Sequence, residues 1–363
     1  MSTLAIRAIG LSTPLGGGVQ ACAAARAGIS RPGPAPDVTV MFPGDEEPQP
    51  VTVHAHPTAT QGFTGAGRLI ALLQEALIDL VYSVPATTWA SRTRLFLALP
   101  DPLWREPETL DEGERELPAE ERIAALGQKV VKGVCAATGL PLQQLTPSFH
   151  GGDELAFSHA LVAAARALEA RQLETALVCA ADSLVGADTL ELFAAEGRLK
   201  HGDQPVGFTP GEAAGAVLLT APARGQASFT VAPPAIAVDA WRWGAEAPSD
   251  GRKLAGCLVS AAAAVPPNMP LALVSDCDGE THRARELGLA RVHLKRRHPG
   301  LAESEVRYPA LAFARTGVAS GLLGLAAARH ALWREKSAPR HFIVASSADD
   351  GKRSAFLVTR TTA

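Results

Sequence analysis

The chain has 363 residues, with Lys+Arg 34 against Asp+Glu 37 and a formal net charge of -3; 47% of residues are hydrophobic and 20% charged. That balance excludes a disordered chain and supports a large buried core. It also offers no basic excess to release phosphate counterions, and aromatics are only 5%, so no nucleic-acid partner is expected. In chain order, residues 3–9 read as a strand, followed by the turn-rich STPLGGG and a helix over 18–28. The Pro/Gly-rich stretch 31–50 reads as surface loop. Leu69, Leu72, Leu73 and Leu80 share one helical face within 67–82, and RLFLALP over 94–100 is a short apolar strand. The charged run 105–122 reads as a solvated loop or helix face, and a helix follows over 123–139.

An Ala-rich helix, 155–173, is apolar nearly all round and therefore buried. It leads into TALVCAAD, a continuous apolar strand suited to a sheet covered on both faces. A short helix at 191–199 and a Gly-rich bend entering a strand at 207–220 complete this part. The second part repeats the pattern: a strand ending in acids at 271–278, a buried Ala/Leu-rich helix at 318–333, and strands at 341–349 and 354–360. AAARAL with its following strand matches AAARHAL with its own, which points to two similar α/β halves, 1–222 and 223–363.

The five cysteines, Cys22, Cys135, Cys179, Cys257 and Cys277, form no C-x-x-C pair, which argues against a disulfide framework or a zinc knuckle. Cys179 and Cys277 read as core residues. His150, Asp153 and His159 are spaced too loosely for a ligand motif, and His54 and His56 read as surface histidines on one side of a strand. GEAAG lacks the strand-then-helix context of a phosphate loop. No metal and no cofactor are therefore expected. The first residues lack the basic start of a secretory leader, and no run reaches the roughly 18 apolar residues of a membrane span. The expectation is a soluble cytoplasmic protein.

The opening IGLSTPLGGGVQACAAARAG, the segment SLVGADTLELFAAEGRL and the following PVGFTPGEAAGAVLL together resemble the β-ketoacyl synthase family of the thiolase fold. In the last of these, Gly207, Phe208, Gly211, Glu212 and Gly215 match the family motif G-F-x-x-G-E-G-A-G. ASSADDGKRSAFLV sits where the family carries a glycine-rich loop, with only Gly351 kept. The resemblance implies a thiolase fold, two similar α/β halves in an α-β-α-β-α layering. It also implies a dimer formed through a strand around LTPSFHG.

Family chemistry uses a cysteine at the N-terminus of the buried helix and two histidines that act with it. Counting back from TALV places Glu154 at the cysteine position, with Asp153 as the neighbour if the register slips by one. The first histidine position falls at Asp278 and the second at Arg315, where Ala319, Ser320 and Gly321 match A-A-G. All three reacting groups are replaced, so no catalytic residue is expected, and an Arg315–Glu154 pair with Asp278 as a second acceptor is predicted to fill the site. In the family, the region of Phe208 borders the acyl pocket, whereas by itself Phe208 reads as core. Three functions follow. One is a chain-length-factor-like partner of an active ketosynthase, working with an acyl carrier protein. Another is a non-enzymatic adaptor or chaperone for, say, a secreted protein. The last is an enzyme related to acyltransferases with new chemistry at Glu154, Asp278 and Arg315.

Overall fold

The computed structural model describes residues 3–361 except 90–91, 108–109, 203, 224–227 and 268. Its strands are β1 (Leu4–Ser12), β2 (Gly33–Val40), β3 (Gln49–Val53), β4 (Thr93–Pro100), β5 (Ser148–Gly152), β6 (Thr175–Ser183), β7 (Glu212–Thr220), β8 (Ser228–Val231), β9 (Ala235–Val238), β10 (Ala272–Ser275), β11 (Val306–Arg307), β12 (His341–Ser347) and β13 (Lys352–Thr361). All but β2 and β3 join one sheet, in the order β11-β10-β12-β13-β8-β1-β7-β6-β4-β5, with β9 also on β13. The pairing is repeated. In the first part, β1 and β7 are antiparallel, as are β7 and β6, while β6–β4 and β4–β5 are parallel. In the second, β8–β13 and β13–β12 are antiparallel, and β12–β10 and β10–β11 parallel.

Five layers follow from which side chains alternate inward. In β4, Leu95, Leu97 and Leu99 pack on the Gly65–Ser83 and Ala119–Thr138 helices, whereas Phe96 and Ala98 face the opposite core. That central core holds the Ala156–Glu169 and Ser320–Arg334 helices. In β12, Phe342 and Val344 face the same central core, while Ile343 and Ala345 pack on the Arg252–Ala262 and Thr281–Leu294 helices. Strands with both faces covered must be apolar throughout, which is why β6 is buried at every residue. The chain has the thiolase fold, with two similar α/β halves in an α-β-α-β-α arrangement.

Three expectations need correction. Residues 31–50 are not simply loop: β2 and β3 form a hairpin whose Val40, Val51 and Val53 are buried against Leu190 and Phe193. Val51 and Val53 alternate with polar neighbours, a period that the surrounding prolines obscured. His54 and His56 are buried, not surface groups. His54 Nδ1 donates to the Ala312 carbonyl at 3.1 Å, and the His56 amide donates to Glu212 at 2.7 Å. The run 105–122 is not wholly solvated: Arg105 reaches buried Asp182 at 2.9 Å, and Arg122 reaches Asp101 at 2.6 Å. Positions 108 and 109 of that run lie outside the described residues.

Candidate functional site: a buried charge cluster

Glu154 sits just before the Ala156–Glu169 helix, where Asp153 Oδ1 accepts the Leu155 amide at 3.0 Å. Arg315 is held by the backbone on both sides: its amide donates to Thr209 O at 2.9 Å, and its carbonyl accepts from Gly211 N at 2.8 Å. Position 211 must be glycine for that approach, because a Cβ would lie 2.6 Å from Phe313 O. Ala314, next to Arg315, has φ +63°, a left-handed conformation that costs a non-glycine residue about 1–3 kcal/mol. The backbone is thus constrained where it aims the guanidinium. Asp276 and Asp278 follow the end of β10, and Asp349 lies in the turn between β12 and β13.

These elements bring Glu154, Arg315 and Asp278 together. Arg315 contacts Glu154 at 2.5 Å, Asp349 at 2.7 Å, Glu280 at 2.9 Å and Asp278 at 3.6 Å. Arg283 contacts Asp349 at 3.0 Å, Glu154 at 3.2 Å, Asp276 at 3.3 Å and Asp278 at 3.4 Å. Arg198 adds a forked contact to Glu280 at 2.8 and 2.9 Å and reaches Asp349 at 2.8 Å. Phe208 is fully buried, edge-on to Phe193, with the Arg315 guanidinium 4.6 Å above its ring. The space left among Glu154, Asp278, Arg283 and Arg315 is about 20 Å³, room for about one water.

Three guanidinium groups face five carboxyl groups, and the proton distribution resolves the mismatch. Burial opposes ionisation of Glu154, but Arg315 and Arg283 override it and hold its carboxyl below the usual range. Glu280 is lowered in the same way, against burial, by Arg315 and Arg198. Asp349, likewise against burial, is held well below by Arg315, Arg283 and Arg198. Burial wins at the other two: Asp276 is pushed up to about 7 and Asp278 is raised. Burial thus disfavours the charged form at two of the five acids, while the guanidinium groups favour it at the other three. Removing one partner from such a buried network is costly.

The chemistry available is correspondingly limited. Cys277, beside Asp278 in sequence, has its thiol pushed up to about 12 by burial, and Ser275 Oγ donates to it at 3.2 Å. It is not an ionised nucleophile. One imidazole, His282, packs on Trp241 and Trp243 with ring centroids 4.8 and 5.3 Å away, and burial pushes its pKa down to about 4. His282, Glu280 and Asp349 are the one group among the described residues whose ligand atoms could converge on a metal. Both acids are already bonded to Arg198 and Arg315, which disfavours a second cation there.

Asp153 lies at the edge of the cluster and lines, with His150, His159 and Lys352, a cavity of about 900 Å³ that Glu154, Arg198, Arg315 and Asp349 also border. Burial, then the charge on Glu154, pushes its pKa to about 7. Gly351 is not in the cluster. It forms the β12–β13 turn at φ +96°, where a Cβ would come within 2.8 Å of Trp241 O. Sequence reasoning missed Arg198, Arg283, Glu280, Asp349 and His282. The alternation Asp276, Asp278, Glu280 with Arg283 one turn later was a usable signal, because residues leaving a buried strand at a period of two point into the same site.

No family model matches the chain, and no curated protein sequence matches it. Solved structures do. The ishigamide ketosynthase/chain length factor aligns with a TM-score of 0.71 at 18% identity, covering 99% of this chain and 100% of that one. The ketosynthase complex of a type II polyketide synthase acyl-carrier protein, bound to a hexaketide, gives 0.75 at 12% identity, over 99% and 100%. The Streptomyces albus oxazolomycin ketosynthase domain gives 0.71 at 14% identity, covering 100% of this chain and 74% of that one. The chain shares with these ketosynthases the thiolase fold.

Proposed function

We propose that this protein is a catalytically deficient ketosynthase homologue that serves as a non-catalytic, chain-length-factor-like partner subunit in acyl or polyketide assembly. The observation that carries this reading is the charge cluster. Where the family resemblance puts a cysteine and two histidines, Glu154, Asp278 and Arg315 are locked together, with about 20 Å³ left between them. A carboxylate held by Arg315 and Arg283, a raised acid and a guanidinium stand where the family has its acyl acceptor and its two imidazoles. The same ion pairing weighs against new chemistry at these three residues.

In this reading residues 1–222 and 223–363 are the two halves of the ancestral duplication, in line with the repeated strand pairing. The partner is an active ketosynthase, which pairs along β5, one of the two terminal strands of the sheet. An acyl carrier protein delivers the chain in the cytoplasm. Two of the similar structures carry a chain length factor or an acyl-carrier protein in their descriptions. The test is co-expression with any ketosynthase and acyl carrier protein that the genomic neighbourhood encodes. A stable complex, with product formed only when both subunits are present, is expected. A homodimer that ignores that ketosynthase would overturn the reading in favour of an adaptor.

A further inference from the structure

Several arginines here are held by a carboxylate: Arg68 by Glu212, Arg105 by Asp182, Arg122 by Asp101, Arg307 by Glu335 and Arg353 by Glu286. The segment after Glu280 gathers cations that are not. Arg285, Lys295, Arg296 and Arg297 are all exposed, and none forms an ion pair or side-chain hydrogen bond with a described residue. The single acid of the run 281–300 is Glu286, which is buried and bonded to Arg353 at 2.6 Å. A chain with a net charge of -3 thus gathers unneutralised positive charge on one helix and the turn after it.

That helix, Thr281–Leu294, also presents a small, apolar face. Ala284, Gly288 and Val292 stand at four-residue spacing, on one side of the helix; Ala284 and Gly288 are exposed, and Val292 is 58% exposed. A Cβ at Gly288 would meet nothing within 4 Å, so the groove there is open. Beside it lies a cavity of about 530 Å³, walled on the far side by Tyr308 and Leu311, with Lys200 also lining it. Leu311 is 78% exposed, and Lys200 is exposed as well. Lys200 thus borders the cavity directly, and Arg285 follows its lining residue Ala284 on the helix.

We propose that this face is a docking site for an acidic protein segment. Its carboxylates meet Arg285, Lys295, Arg296 and Arg297, and an apolar side chain enters the cavity beside Gly288. Charge complementarity selects the sign of the partner, and the recessed wall selects a protein. From Arg285 to Arg297 the cations span only about 18 Å at helical rise, with an apolar hollow alongside. A phosphate backbone or a flat anionic bilayer would leave that hollow unfilled. The cavity touches the charge cluster only at Asp278, and the docking face does not depend on this chain partnering a ketosynthase.

The test is fluorescence anisotropy with a labelled amphipathic peptide of Glu and Leu, its Gln-for-Glu twin, a DNA duplex, and phosphatidylserine vesicles followed by co-sedimentation. The variants are Arg285→Glu/Lys295→Glu/Arg296→Glu/Arg297→Glu and, separately, Gly288→Phe. Thermal melting reports that each variant is folded; all five positions are exposed. The Glu peptide should bind the wild type, and its affinity should fall at least about tenfold with the Gln twin, with either variant, and at high salt. Equal affinity for wild type and the charge-reversed variant would overturn the proposal. So would tighter binding of the duplex or the vesicles than of the peptide.

Discussion

Replacing Arg315 by methionine removes the cation shared by Glu154, Glu280 and Asp349, which it meets at 2.5, 2.9 and 2.7 Å. Arg198 and Arg283 remain, so three carboxylates face two guanidinium groups in a largely buried site. Asp276 and Asp278 give no relief, since burial already favours their neutral forms. Removing one partner of a buried ion pair costs about 3–5 kcal/mol, because the other charge stays buried. With an unfolding entropy of about 2.1 cal/mol/K per residue, that corresponds to a melting temperature lower by about 4–7 °C for a chain of this length. The pH dependence follows from the same groups. In the variant the surplus carboxylate has a raised pKa, so its penalty grows as pH rises through that value and vanishes once it is protonated. The stability gap to the wild type should therefore be wide at pH 8 and narrow towards pH 5. Urea denaturation of both proteins at the two pH values measures it. A gap under about 1 kcal/mol, the range of exposed pairs, or a gap independent of pH would show that Arg315 does not neutralise a buried charge.

Other outcomes follow from the same structure. Asp276, with its pKa raised to about 7 by burial, stabilises the fold most when protonated, and that contribution is lost as pH rises from about 4, its unfolded value, through 7. Asp276→Asn should accordingly flatten the stability profile between pH 5 and 8 and raise stability at pH 8; an unchanged profile by denaturation would contradict this. Thiol reactivity should be confined. Burial pushes Cys22 and Cys277 up to about 12 and Cys257 to about 11, and raises Cys179 further. Iodoacetamide at pH 8 should label the native protein at Cys135 alone and all five cysteines in urea, read by peptide mass; rapid native labelling of Cys277 would count against the site described. Gly351→Ala forces a side chain onto a left-handed backbone facing Trp241 O and Asp239 O. It should cost about 1–3 kcal/mol, measured as a lower denaturation midpoint.

The layered architecture was legible because doubly covered strands and buried helices must be apolar nearly all round. TALVCAAD and the two Ala-rich helices have no other place to go. The β2–β3 hairpin was hidden by prolines that read as loop, although Val51 and Val53 alternate towards the core. His54 and His56 looked like surface groups because their partners, Ala312 and Glu212, lie far away in sequence. The pairing of Glu154 with Arg315 could be anticipated from the motif register. Arg198, Arg283 and Asp349 could not, since a buried salt network is closed by tertiary contacts that no local pattern encodes. The helix Thr281–Leu294 went unread for a related reason: Arg283 and Glu286 occupy its buried side and break the apolar stripe by which amphipathic helices are recognised.

In the proposed reading, charged side chains fill the place where an acyl group would be accepted. Intact mass spectrometry of the purified chain after incubation with an acyl-carrier thioester tests it directly. The unmodified mass is predicted, both for the wild type and for Glu154→Cys, because neither contains the pair of histidines that act with the thiol. A covalent acyl adduct on the wild-type chain would contradict the claim.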